Sequence, residues 1–162
     1  MTTLTQDKPV VATTGANNGG INNAAANTAT IKQWVASMVK GDLDKAPYTE
    51  DAETSDPSGK YKGKAQILQS LKAWKTAFPQ GTAEVTNQIA QGDQVASEVV
   101  YKATHTGPLV ASTGTIPATN KSIVLKTMLI SSFRNGLIQR ERTYFDQADF
   151  MRQLGITAPP KP

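Results

Sequence analysis

The sequence predicts an α+β fold in which a curved β-sheet, mixed or antiparallel, wraps around helices and leaves a cone-shaped cavity. Apolar residues recur at helical spacing in the first half of the chain, and the period changes to two after the "PQG" segment at 79–81. Two turn signals, "QGD" at 91–93 and "RNG" at 134–136, separate the alternating segments as hairpin turns do. The predicted order is therefore helix, short strand, helix, a run of antiparallel strands and a closing helix.

Length and composition favour one domain without cysteine chemistry. The 162 residues are 38% hydrophobic and 19% charged and contain no cysteine, which excludes disulfides, thiolate catalysis and cysteine metal sites. One histidine and no dense cluster of carboxylates argue against a zinc or di-metal site. The net charge is +4, but the lysines and arginines are scattered, so we expect no nucleic-acid binding.

Both ends of the chain predict tails around a single domain of residues 28–156. Residues 1–27 are dominated by Asn, Ala, Gly and Thr, which bury too little apolar surface to offset the entropy of ordering. We therefore expect a disordered tail there and a frayed tail at 157–162. The N-terminus lacks the apolar core of a signal peptide, and no apolar run is long enough for a membrane helix, so we expect a cytoplasmic protein that does not bind membranes.

Two helices precede the main strands. The first begins near residue 28 and ends at Gly41, and the second spans about 63–77 before Pro79. Their apolar faces carry Ile31, Trp34, Val35 and Met38 in the first helix, and Ile67, Leu71, Trp74 and Phe78 in the second. Between the helices, the polar segment 48–63 is typical of a short strand followed by a loop.

The strand after the first hairpin turn places the only histidine of the chain, His105, on an apolar face. In the segment "QVASEVVYKATHT" at 94–106, the odd positions are the apolar ones. Since successive side chains of a strand point to opposite faces, His105 should point inward with Val99 and Tyr101. A loop rich in Gly, Pro and Ser is predicted at 107–121.

The next strand, "SIVLKTMLI", is apolar on both of its faces. The residues of one face are Val124, Met128 and Ile130, and those of the other are Leu125 and Leu129. One face suits the cavity and the other suits contact with a second copy, so we expect a homodimer. The closing helix lies in "DQADFMRQLG", which ends at Gly155.

A series of segments, taken in order, resembles the SnoaL-like polyketide cyclases, also called ester cyclases. The segments are "YTEDAETSDP", "YKGKAQIL", "AFPQG", "QGDQVASEVVYKATHTGPL", "IPATNKSIVLK", "FRNGLI" and "YFDQADFMRQLG". The resemblance covers about residues 28–156. It implies the cone fold of the nuclear transport factor type, an α+β barrel shared with ketosteroid isomerase and limonene epoxide hydrolase. That fold hosts many functions.

The resemblance also implies an aldol-type ring closure of a polyketide-like substrate without metal or cofactor, or a related isomerisation. Its acid/base is an aspartate at the end of the last strand, which matches Asp146 in "TYFDQADF". The family histidine of "THTG" matches His105, a hydrogen-bond partner for a carbonyl or enolate. We expect an apolar, carbonyl-bearing ligand to lie against five further residues, namely Tyr101, Tyr144, Arg142, Trp34 and Trp74.

Other interpretations of these residues stay open at this point. Asp146 suits the N-cap of the closing helix, and His105 suits the wall of the core. Arg142, on the same strand face as Asp146, would either pair with Asp146 and lower its pKa or hold an anionic substrate. Together with Arg140 and Glu141, Arg142 also fits a solvated row of charges along the strand.

Departures from the family pattern favour a second hypothesis, a non-catalytic module of the same fold that binds a small molecule or another protein. Gln80 replaces the acid of the family's "FPD", and Asn120 replaces the glycine of "PATGK". The epoxide hydrolases of this fold need an Arg-x-Asp pair on the strand equivalent to "SEVVYKA", where this chain has Val99 and Tyr101. We therefore reject epoxide hydrolase activity.

Overall fold

The computed structural model describes residues 18–111 and 114–156, and within these ranges the chain forms three helices and eight strands. A short 3-10 turn, Leu43–Lys45, follows the first helix. The helices are α1 (Asn18–Lys40), α2 (Lys64–Ala77) and α3 (Gln147–Gln153), and the strands are β1 (Tyr48–Asp56), β2 (Gly59–Lys62), β3 (Gly81–Gln91), β4 (Gln94–Thr104), β5 (Leu109–Ala111), β6 (Gly114–Ile116), β7 (Ser122–Arg134) and β8 (Leu137–Tyr144). No helix among the described residues is apolar enough over a sufficient length to cross a bilayer.

Six of the strands form one mixed sheet, in the order β2-β1-β8-β7-β4-β3. Only the β1–β8 pair of this sheet is parallel. The register shifts at three places, in β1, in β3 and between β7 and β8, and such bulges bend and twist a sheet. The predicted α+β fold with a curved mixed sheet and helices is confirmed.

Helix α1 begins earlier than the sequence predicted. It starts at Asn18, so the predicted disordered tail of residues 1–27 is wrong for its last ten positions, of which Asn27 is buried. Ala24–Ala26 favour helix, and α1 packs on the sheet, where the Gln88 side chain donates to the backbone oxygen of Thr28 at 3.2 Å. Residues 1–17 and the predicted frayed tail 157–162 lie outside the described residues.

Local turn chemistry explains how the strands are joined. The β7–β8 turn has positive φ at both Asn135 (53°) and Gly136 (77°), as a two-residue turn matching the strand twist requires. The β1–β2 turn is held by Asp56, whose Oδ1 accepts from the backbone nitrogens of Ser58 (2.6 Å) and Gly59 (3.0 Å). Both hairpin turns predicted from the sequence are confirmed.

The predicted loop at 107–121 contains a small antiparallel ribbon, β5 paired with β6. Its entry is fixed to the end of α2, because the backbone nitrogens of Thr106 and Gly107 both donate to the carbonyl oxygen of Ala77 at 3.1 Å. Two apolar clusters fill the space between sheet and helices. One cluster contains Ile31, Trp34, Val35, Tyr48, Val95 and Ile138, and the other contains Phe78, Tyr101, Ile123, Leu125, Phe150 and Leu154.

Candidate functional site

The face of β8 that points into the fold is set by one extra residue. Phe133 of β7 pairs with Ile138, but the preceding Ser132 pairs with Arg140, which leaves Gln139 without a partner position. An inserted residue moves every following side chain to the opposite face. Glu141 therefore points inward and is buried, as Ile138 is.

Among the residues that the structure describes, Glu141 is the single Asp or Glu that is buried, with 7% of its surface exposed. Its Oε1 accepts from the hydroxyl of Tyr48 at 2.9 Å, and its Oε2 accepts from the hydroxyl of Ser131 at 2.8 Å. Trp34 donates from Nε1 to the Tyr48 hydroxyl at 3.3 Å. The four side chains form one hydrogen-bonded chain between α1 and the sheet.

Burial makes this carboxyl group a weaker acid than usual. Removal from water raises the pKa of Glu141, against the opposing effect of the Ser131 and Tyr48 hydroxyls, which stabilise the charged form. The pKa of the Tyr48 hydroxyl is also raised, first by burial and then by the nearby Glu141 charge. A carboxyl group in this state can give or take a proton nearer to neutral pH, while Tyr48 stays a neutral donor.

A groove of about 370 Å³ lies where β1, β2 and β8 meet the first turn of α2. Its volume falls within the range of small-molecule sites. Glu141 is one of its lining residues, and the others are Glu53, Thr54, Ser55, Lys60, Tyr61, Lys62, Gln66, Arg140 and Arg142. Of the residues predicted to contact a ligand, Arg142 lies here.

His105 occupies the other end of the interior. It is fully buried, as the parity of β4 predicted, and its ring lies 5.2 Å from that of Phe78. Nδ1 accepts from the backbone nitrogen of Thr119 at 3.2 Å, which assigns the ring proton to Nε2. Nε2 has no hydrogen-bond partner within the described parts of the chain. Burial lowers the pKa of His105, so the ring is a neutral wall residue.

The predicted aromatic ligand contacts divide between the two ends of the interior. Trp74 packs beside Tyr101 with ring centroids 6.0 Å apart, in the cluster of Phe78 and His105. Trp34 instead stands edge-on to Tyr48 at 5.7 Å, beside Glu141. The structure therefore places only Trp34, of these three predicted aromatic contacts, next to the buried carboxyl.

Asp146, Tyr144 and the groove residue Arg142 lie on the outer surface. Asp146 is exposed and caps α3, with its Oδ1 accepting from the backbone nitrogen of Asp149 at 2.9 Å. Tyr144 is 51% exposed, and Arg142 is also exposed. In the described chain Arg142 and Asp146 form no ion pair. The capping interpretation of Asp146 therefore matches the structure, and the strand face of Tyr144 and Arg142 does not point inward.

Comparison with known proteins decides the family. A family model described as SnoaL-like polyketide cyclase matches residues 28–154. The chain belongs to this family. No curated protein sequence matches it.

Solved structures share the SnoaL-like fold at low sequence identity. A candidate SnoaL-like polyketide cyclase from Jannaschia sp. CCS1 has a TM-score of 0.74 and 17% identity, over 96% of this chain and 100% of its own. IdmH, a candidate polyketide cyclase from Streptomyces antibioticus, has a TM-score of 0.67 and 24% identity, covering 80% and 99%. An LEH-like epoxide hydrolase from M. tuberculosis has a TM-score of 0.63 and 13% identity, covering 81% and 90%. These similarities establish the fold alone.

In this SnoaL-like chain, sequence reasoning missed the site around Glu141. The sequence pattern places Glu141 in a solvated row of charges with Arg140 and Arg142. Its hydrogen-bond partners Tyr48 and Ser131 lie 93 and 10 positions away in the sequence. A signal was present in β7, where Ser131 shares the inward parity of Leu125 and Leu129. Within the described ranges, no three His, Cys, Asp or Glu residues are grouped as a metal site requires.

Proposed function

We propose that this SnoaL-like protein binds an apolar, carbonyl-bearing small molecule and that Glu141 acts on it as the acid/base of an aldol-type cyclisation or isomerisation without a cofactor. The observation that supports the proposal is the buried Glu141 carboxyl, which has a raised pKa and is held by two hydroxyl donors, in a residue that borders the groove. Perturbed carboxylates in clefts are enriched at functional sites.

The chemistry needs only one proton to be moved and returned. The Glu141 carboxylate takes a proton from the carbon between two carbonyl groups, and the resulting enolate carbon attacks a third carbonyl, further along the same molecule. The new carbon–carbon bond leaves an alkoxide, which takes the proton back from the Glu141 carboxylic acid. Tyr48 and Ser131 fix the orientation of the carboxyl group, and their hydroxyls stabilise its charged form during the first step.

A non-catalytic binding module of the same fold is the second candidate. Asp146, which matches the family's catalytic aspartate, is exposed and bonded to a backbone amide. In addition, both carboxyl oxygens of Glu141 already accept a hydrogen bond within the protein. Such a module would keep the groove and bind the same class of molecule without turnover.

The outer face of the sheet suits association of two copies. It exposes three large apolar side chains, which are Ile89 (69% exposed), Val124 (45%) and Tyr144 (51%). They lie on the faces of β3, β7 and β8 opposite to the core. A homodimer through this face stays a prediction, as does the cytoplasmic location.

Native mass spectrometry of the purified chain, followed by assays with a panel of polyketide-like 1,3-diketones that carry a third carbonyl group, tests the proposed function. We expect a bound or added diketone to be converted, and the rate constant kcat/KM to rise with pH through a pKa above the ordinary value of 4.5 for glutamate. Diketone binding without conversion would support the binding module instead. If no member of the panel is bound or converted, both candidates are contradicted.

A further inference from the structure

The groove beside Glu141 has a charge pattern that the proposed chemistry does not use. Four of its lining residues are cationic, namely Lys60, Lys62, Arg140 and Arg142, and the carboxylate of Glu53 is the one exposed acid among the lining residues. These side chains come from three neighbouring strands, so strand pairing decides which of them meet.

Strand register arranges the charges in two rows across β2, β1 and β8. In the first row Glu53 stands between Lys62 and Arg140. It forms an ion pair with each of them, with carboxylate oxygens 3.5 Å from the Lys62 ammonium and 3.8 Å from the Arg140 guanidinium. Both cations of this row therefore have an ion-pair partner within the protein.

The second row lacks its acid. Ser55 stands between Lys60 and Arg142, in the position that Glu53 holds in the first row. Strands lie about 4.8 Å apart, so the Cα atoms of Lys60 and Arg142 are separated by about 10 Å, a distance that two long side chains span. Neither cation forms an ion pair with any residue in the described ranges.

We propose that Lys60, Ser55 and Arg142 form a binding site for the oxyanion of a small molecule, a carboxylate or a phosphate. Such an anion occupies the place of the missing acid. Arg142 offers a planar pair of donors, Lys60 a compact charge and Ser55 a hydroxyl. The groove volume of about 370 Å³ suits a small ligand. The site does not depend on catalysis by Glu141, whose carboxyl group is bonded inside the fold, on the opposite face of β8.

Titration of the ¹⁵N-labelled full chain with benzoate and with inorganic phosphate at low salt tests the site, with benzamide as the neutral control. We expect saturable amide shifts at 54–62 and 140–142 with at least one anion and none with benzamide. Shifts with benzoate alone assign a carboxylate, shifts with phosphate alone assign a phosphate, and both assign a general oxyanion site. No saturable shift with either anion overturns the proposal.

The paired variant Lys60→Gln with Arg142→Gln removes the two charges, and Lys102→Gln with Lys126→Gln removes two exposed charges outside the groove. We expect the dissociation constant to rise at least tenfold in the first pair, and to change less than twofold in the second. Equal weakening in both pairs overturns the proposal, because anion binding would then depend on the net charge of the protein and not on Lys60 and Arg142. A short DNA duplex that binds more tightly than either anion, and loses binding in the first pair, also overturns it. Single Lys60→Gln gives the same comparison if the paired variant does not fold.

Discussion

Glu141→Gln is expected to lower kcat/KM for a converted diketone by about 10²- to 10⁴-fold, the usual contribution of a general acid/base. The amide has nearly the shape of the carboxylic acid, and its oxygen can still accept from one of the two hydroxyls of Tyr48 and Ser131 while its NH2 group donates to the other. The amide cannot take up a proton. Steady-state kinetics on the purified variant measure the effect, and circular dichroism establishes that the fold is retained.

Two further carboxylate variants serve as controls for Glu141→Gln. Glu98→Gln, an exposed position on β4 outside the groove, should keep wild-type turnover. Asp146→Asn should do the same, because asparagine caps a helix as well as aspartate does. Loss of turnover in Asp146→Asn, with activity retained in Glu141→Gln, would assign the chemistry to the capping aspartate and refute the role of Glu141.

Gly107→Ala is expected to lower the free energy of unfolding by about 3 kcal/mol, at the upper end of overpacking effects. A Cβ atom at position 107 would overlap the carbonyl oxygen of Thr76. To relieve that overlap, the chain would have to withdraw from the end of α2 and weaken the bonds from Thr106 and Gly107 to Ala77. Urea unfolding followed by fluorescence measures the change.

Gly59→Ala is the matched control for this substitution. Its added Cβ would lie 3.6 Å from the Tyr61 hydroxyl, an ordinary contact, and its φ is not in the left-handed region. We expect a change in stability within about 1 kcal/mol. A similar loss in both variants would mean that the tight approach of Gly107 to α2 does not matter for stability.

Much of the fold was predictable because its signals are local. The spacing of Ile67, Leu71 and Trp74 gave α2 to within one residue of its observed start, and the alternation along β4 correctly turned His105 inward. These segments follow one period without interruption, so side-chain orientation can be counted along them.

The site was less predictable because its orientation depends on an irregularity. From buried Ile138, simple alternation along β8 points Arg140 and Arg142 inward, but the extra residue Gln139 reverses the face and buries Glu141 instead. A bulge of this kind leaves no periodic signal of its own. The partner Tyr48 is 93 residues away in the sequence and is brought close by the parallel β1–β8 pairing. The spacing of residues in the sequence does not reveal this pairing.

The most direct measurement of the central claim is a ¹³C NMR titration of the Glu141 carboxyl group, assigned by its loss in Glu141→Gln. We expect a midpoint above the ordinary value of 4.5. Because the folded pKa then exceeds the unfolded one, the folded state holds this proton more tightly. The free energy of unfolding should therefore fall as pH rises from about 4.5 through the folded pKa, relative to Glu141→Gln. A midpoint at or below 4.5 would contradict a buried acid/base at this position.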